Sequence, residues 1–230
     1  MGLAVKLIAH TTQAERVVAA AAKLCYSTSP VGELFDGLDD ERIGGFLAKL
    51  RDSGHVSPFE HAGFTFAVEG VSRVATHQLV RHRIASYSQR SQRYVAANGV
   101  TCVVPPEISR NGEAARVFGE SLAASQAAYE KLSALGVPRE DARFILPHGL
   151  ETAIIVTMNA RELLHFFELR LCRRAQWEIR GVARMMLSLA LSEAPRLFED
   201  AGPSCVRGAC PERDSCGKPY KNMEEVLEDK

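Results

Sequence analysis

The densest concentration of chemistry in this chain is the stretch from Arg81 to Tyr94, which sets four arginines, one histidine, three serines and two glutamines within fourteen residues. Guanidinium forks and hydroxyls suit a phosphate, which arginine grips bidentately, and the amides suit the edge of a nucleobase. Lys and Arg number 28 against 28 Asp and Glu, so this local excess is no by-product of general basicity. It reads as an anion site. Two other readings use the same residues. A solvated loop more often mixes lysine with acidic residues, and an RNA-binding loop, with Tyr87 and Tyr94 stacking bases, lacks a second basic stripe.

Two neighbouring segments add to it. From Ser72 the pattern predicts a short helix leading into the cluster, with Val71, Val74, Ala75 and Leu79 on one face and Arg73, His77 and Arg81 on another. Gln78 and His82 project from the apolar stripe. Burying an amide or imidazole without partners costs roughly 1–3 kcal/mol, so both need internal bonds or a ligand. Further on, Asn159 to Leu171 reads as a helix whose apolar side is Leu163, Phe166, Phe167 and Leu171, with Arg170 in its midst. An arginine there must be paired or ligand-bound; because it keeps its charge it can stabilise a developing anion but is a poor proton shuttle. On the opposite side Arg161, His165 and Glu168 line up, as a ligand face or, the favoured reading, a solvated one.

Other constellations carry less. His55 to His61 does not match helical zinc-protease spacing, and Pro58 interrupts a helix there, so a turn is favoured over a metal site. No Gly-x-Gly-x-x-Gly follows a predicted strand and no Walker-type loop exists, so any nucleotide is held by side chains. Cys205, Cys210 and Cys216 crowd into a Gly/Pro-containing C-terminal stretch, with spacings looser than the usual zinc-knuckle pairs. A metal or iron–sulfur site with Cys172 as fourth ligand, a disulfide, and free thiols in a flexible tail all remain open.

The elements that must position these residues follow from periodicity and breakers. Val5 to Ala9 reads as a strand, Thr12 to Lys23 as an alanine-rich helix capped by threonine, and Asp39 or Asp40 caps a second helix to about Arg51. Gly63 to Val68 alternates as a half-buried strand, and Val103 to Pro106 reads as a strand end and turn. Gly112 to Leu135 predicts a long helix ending at Gly136, Glu151 to Met158 a strand, and Gln176 to Phe198 a last helix. Arg83 to Arg93 has no apolar periodicity and reads as a loop. Strands and helices mix without regular alternation. The expectation is therefore an α+β fold: a single domain with a central, mostly antiparallel sheet flanked by helices, including a long helical segment. Residues 1–200 would form the folded domain and 201–230 a Cys/Pro/Gly-containing tail.

With 46% hydrophobic residues the chain can bury a sizeable core, and its charge balance predicts no general attraction to nucleic acid or anionic membrane. The N-terminal apolar run is too short for a signal peptide, and nothing approaches a membrane span of about eighteen apolar residues. Cytoplasm is the default expectation.

Arg81-His82-Arg83, seven residues, then Ser91 resembles the signature of the flavin-dependent thymidylate synthases. Ser57-Pro-Phe-Glu-His61, Gln78, Val137 to Arg143, Asn159 to Leu163, Leu169-Arg170 and Ala175 to Ile179 also resemble that family, in its order, across roughly residues 5 to 200. The resemblance implies reductive methylation of dUMP to dTMP, with methylenetetrahydrofolate giving the carbon, NADPH the electrons and FAD carrying the hydride. It also implies a homotetramer whose active sites are each built from several subunits. By matching position, Gln78, Arg81, Gln89, Arg90, Ser91, Gln92, Arg93, Arg143 and Arg170 would surround dUMP. Ser57, Arg81, His82, Arg83, Gln89, Asn159, Arg161 and His165 would contact FAD, and His55 would line the nicotinamide or folate side. Arg170 is the expected catalytic residue, no metal is implied, and Ser91 is assigned to phosphate binding because no His–carboxylate relay is evident to activate it. Gln89 stands where many members carry glutamate, which leaves binding through the amide but puts proton relay there in doubt.

Overall fold

A computed structural model describes residues 2–97, 99 and 101–229. Its four strands, β1 (Ala4–His10), β2 (Gly63–Ser72), β3 (Ala85–Gln89) and β4 (Glu151–Asn159), form one antiparallel sheet in the order β1-β2-β4-β3. The two central strands alternate as a half-buried sheet requires. Phe64, Phe66 and Val68 of β2, and Thr152, Ile154, Val156 and Met158 of β4, point into the core while their neighbours do not.

The helices, in chain order, are α1 (Ala14–Leu24), α2 (Val31–Asp36), α3 (Asp40–Asp52), α4 (Arg73–Leu79), α5 (Pro106–Ser109), α6 (Gly112–Ala134), α7 (Arg139–Ala142), α8 (Ala160–Arg170), α9 (Trp177–Glu193), α10 (Pro195–Phe198) and α11 (Met223–Glu228). Their starts follow capping chemistry. The side chains of Asp39, Asn111, Asn159 and Gln176 accept from backbone N–H groups one turn into α3, α6, α8 and α9, and Ser72 Oγ accepts from Ala75 N in α4. Gly136, at φ +81°, turns the chain after α6 in the left-handed region that glycine alone enters without strain.

The chain clusters into two compact units whose boundaries fall within each of the four strands and at the end of α4. The first is built mainly of Val68–Leu79 and Ser88–Ile154. Its core gathers Ala97, Tyr129, Ala142, Leu146 and Leu150, with the Tyr129 hydroxyl accepting from Ala97 N at 3.3 Å. The second holds Val5–Ala67, Val80–Tyr87 and the chain from Ile155 onward. Here Phe198 meets Phe64 and Phe167 edge-on at 5.3 and 5.9 Å, which ties α10 and α8 to β2. Arg51 of α3 closes the same side by bonding the Arg196 carbonyl, Glu199 and Asp200.

Several expectations are corrected. The residue before α1 is Gln13, in a left-handed conformation with no side-chain cap, so Thr12 does not start that helix. The last predicted helix breaks at Ala194, because Pro195 has no N–H to continue the ladder, and α9 and α10 are separate. Val74 is exposed, and α4 ends at Leu79, so Arg81 and His82 lie beyond it. The polar stretch after Arg83 contains β3, and the C-terminal stretch contains α11. Among the described residues no helix is long and apolar enough to cross a membrane.

Candidate active site

Helix α8 presents two rows of side chains one turn apart. Glu162, Phe166 and Arg170 recur at four-residue spacing along one row, and Arg161, His165 and Leu169 along the next. The buried His82 ring lies across the first row, edge-on to Phe166 at 4.9 Å. Its Nδ1 is 3.1 Å from Glu162 Oε1, and Arg170 Nε donates to its Nε2 at 3.0 Å. One imidazole thus spans two turns of α8.

The partners fix the tautomer. An arginine N–H only donates, so His82 Nε2 must offer its lone pair, and the ring proton then sits on Nδ1 and is donated to Glu162. Electrostatics agree. Burial, the Arg170 charge and His165 push the His82 pKa down to about 4, so the ring is neutral near pH 7. Burial also raises the Glu162 carboxyl, with His165 pulling the other way, and lowers the Arg170 guanidinium. From β3, the Tyr87 hydroxyl donates to the His82 carbonyl at 2.7 Å, and burial and then Glu162 raise its pKa, which keeps the phenol protonated. His165 meets the His82 ring at 5.7 Å.

These groups face a cleft of about 650 Å³ whose wall includes Arg81, His82, Arg83, Asn159, Arg161, Glu162, His165 and Arg170. Arg161 pairs with Glu60; Arg161 and His165 of the face expected to be solvated are exposed and line this cleft, while Glu168 does not. Asn159 Oδ1 accepts from Glu162 N at 2.9 Å, so its oxygen serves the helix cap. Ser57 and His55 belong to the same unit but lie outside this wall, Ser57 opening the 3-10 turn Ser57–His61 and His55 edge-on to Tyr26.

The other expected residues fall in the first unit. Gln89 Nε2 donates to Thr76 Oγ1 at 3.0 Å, and Thr76 Oγ1 donates to the Arg73 carbonyl. Arg90 N donates to the Ala153 carbonyl, and Ser91 Oγ accepts from Arg93 N in a tight turn. Arg93 pairs with Glu140 at 2.8 Å, while Arg143 Nε donates to the Glu140 carbonyl. Gln78, on α4, and Gln92 are half-buried. Arg73 joins this group: burial and the Arg143 charge lower its pKa, and its buried Nε has no hydrogen-bond partner among the described residues. So cationic a cluster around one carboxylate suits an anion.

Glu162 and Arg73 were not singled out from the sequence as site residues. Glu162 falls three residues after Asn159, where a capping box also places glutamate, so its spacing has a local explanation that conceals the bond to His82. For His55, His61 and the C-terminal cysteines, no three His, Cys, Asp or Glu side chains among the described residues converge as a metal cage, and none of the six cysteines is in a disulfide.

Comparison with known proteins agrees with the resemblance. The family model described as thymidylate synthase complementing protein matches residues 6–196. A flavin-dependent thymidylate synthase of Clostridium tetani is 50% identical over 235 residues, covering 95% of this chain and 94% of the relative. One of Geobacter sulfurreducens is 52% identical over 217 residues, covering 93% and 94%. Among solved structures, the UMP/dUMP methylase PolB of Streptomyces cacaoi, bound with 5-Br dUMP, matches with a TM-score of 0.77 and 25% identity over 87% of this chain and 96% of that one. With the match running nearly end to end, and with the arginine-rich signature lying inside it, the chain belongs to the family of flavin-dependent thymidylate synthases.

Proposed function

We propose that this enzyme converts dUMP to dTMP by reductive methylation, with methylenetetrahydrofolate as carbon donor, NADPH as electron source and FAD as hydride carrier. The observation that carries the reading is the Arg170 guanidinium, held through Nε by a neutral, buried His82 in the wall of a cationic cleft. Uracil must gain electron density at C5 before it can attack a one-carbon unit. A fixed guanidinium against N3 and the adjacent carbonyl stabilises the ring as it ionises. A pure RNA- or nucleotide-binding module has no need of an arginine oriented this way.

The donors fit the cofactor. Arg81, Arg83, Arg161 and His165 supply the charge and N–H groups that a pyrophosphate takes, in a cleft of about 650 Å³. When bound, FAD supplies the hydride that reduces the transferred carbon. Both ring nitrogens of His82 are engaged, so we assign it to positioning Arg170 rather than to gripping a ligand. The UMP/dUMP methylase likeness supports the substrate. For dUMP, the first unit contributes Gln78, Gln89, Arg90, Ser91, Gln92, Arg93 and Arg143, with the arginines and Ser91 taking the phosphate. The other two expected dUMP ligands, Arg81 and Arg170, line the cleft of the second unit. In a homotetramer with shared sites, donors of one chain would be completed by those of another.

The test is an anaerobic assay of purified protein with FAD, NADPH, dUMP and methylenetetrahydrofolate, scoring dTMP by chromatography. Formation should require FAD and fall by roughly 100-fold or more in Arg170→Ala, the usual cost of removing one electrostatic stabiliser. A flavin-loaded protein that binds dUMP yet makes no dTMP would sink the methylation while leaving the nucleotide site standing.

A further inference from the structure

The second unit holds another cavity, of about 550 Å³, whose wall includes Cys172, Cys205, Cys210 and Cys216. Four of the six cysteines therefore line one space, although Cys172 follows α8 and the others come from the turn-rich segment beyond α10. All four are free thiols. The same wall carries the guanidiniums of Arg170, Arg173 and Arg174. Arg174 pairs with Glu212 at 2.7 Å, and Arg173 lies over the Tyr220 ring at 4.0 Å.

We propose that these four cysteines form a thiolate site for a soft metal centre, a zinc ion or an iron–sulfur cluster. Four thiolates complete the coordination of either without leaving an open position, so the role is structural. On binding, each thiol releases its proton to solvent and its sulfur lone pair goes to the metal. No three such side chains among the described residues are already drawn together as a cage, so binding must contract the Ser204 to Cys216 segment onto Cys172. Coupling of this kind between metal binding and local ordering is usual in small thiolate sites. Arg170 lines both this cavity and the cleft, so a metal on Cys172 would fix the C-terminal end of α8 where the guanidinium is mounted.

The experiment uses the full chain, purified without oxygen from cells supplied with zinc and iron, with zinc, iron and acid-labile sulfide measured per chain. Cobalt(II) is then titrated into metal-stripped protein and followed for sulfur-to-cobalt charge transfer. We expect about one zinc per chain, or iron with matching sulfide, the two results distinguishing the centres. Metal content should drop by roughly tenfold in Cys210→Ser and Cys216→Ser and persist in Cys25→Ser. The proposal is overturned by negligible metal together with no charge-transfer band, or by metal that survives both replacements. Should the serine variants fail to fold, the cobalt spectrum of the unaltered protein decides. Failure here leaves the methylation reading intact, because none of the four thiols is assigned to that reaction.

Discussion

At the scale of single residues, the site turns on an imidazole kept neutral. His82 sits at about 4 in the fold against its ordinary 6.5, so between those values the unfolded chain binds a proton that the folded chain refuses. Stability therefore rises with pH across that window; the penalty is complete below about 4 and absent above 6.5. Glu162 acts in the opposite sense, since burial raises its carboxyl and the folded chain takes its proton first as pH falls. A His82→Gln variant removes the imidazole titration and leaves the other groups in place. Its urea midpoint should fall less than that of the unaltered protein between pH 6.5 and pH 4. Parallel curves would mean that the ring is not held neutral. That Arg170 needs a partner is legible in the sequence, because a guanidinium falls among Leu163, Phe166, Phe167 and Leu171. The identity of the partner is not, because His82 arrives from 88 residues away and no local pattern records it.

At the scale of elements, the sequence is clearest where local chemistry decides and silent where long-range pairing does. Helix α8 is readable because an asparagine cap precedes an apolar row, and the predicted 159–171 differs from Ala160–Arg170 only at its ends. Strand β3 is hidden because its alternation runs through Ala85, Tyr87 and Gln89 against two exposed serines, so the period of two carries little hydrophobic contrast. The α8 cap also sets the register of Glu162, and hence of His82 and Arg170. Asn159→Ala should cost about 1 kcal/mol in urea unfolding at unchanged m-value, and Asn159→Asp, which keeps the acceptor, much less. Equal losses in the two variants would show that the oxygen of Asn159 is not what holds the helix start.

At the scale of the whole molecule, the proposed homotetramer would cover apolar side chains that a single chain leaves exposed. Along the 23 residues of α6 only Tyr129 is buried among the described residues, and Leu135 just after it is 72% exposed. In the same unit Tyr94 and Phe144 are 75% and 82% exposed, each beside an arginine of the expected phosphate set, Arg93 and Arg143. In the proposed homotetramer, a neighbouring chain would cover these large side chains beside the expected phosphate ligands. With zero formal net charge, no long-range repulsion opposes self-association. The proposed homotetramer thus predicts that assembly and nucleotide binding fail together. Phe144→Asp should lower the mass in light scattering and weaken dUMP in equilibrium dialysis by roughly tenfold or more, as loss of a central interface anchor does, while Phe144→Leu retains both. A Phe144→Asp protein that stays tetrameric would remove this face from the interface. An unaltered protein that makes dTMP at full rate as a monomer would remove the shared site altogether, because the donors around Arg143 would then have to serve the chain that carries them.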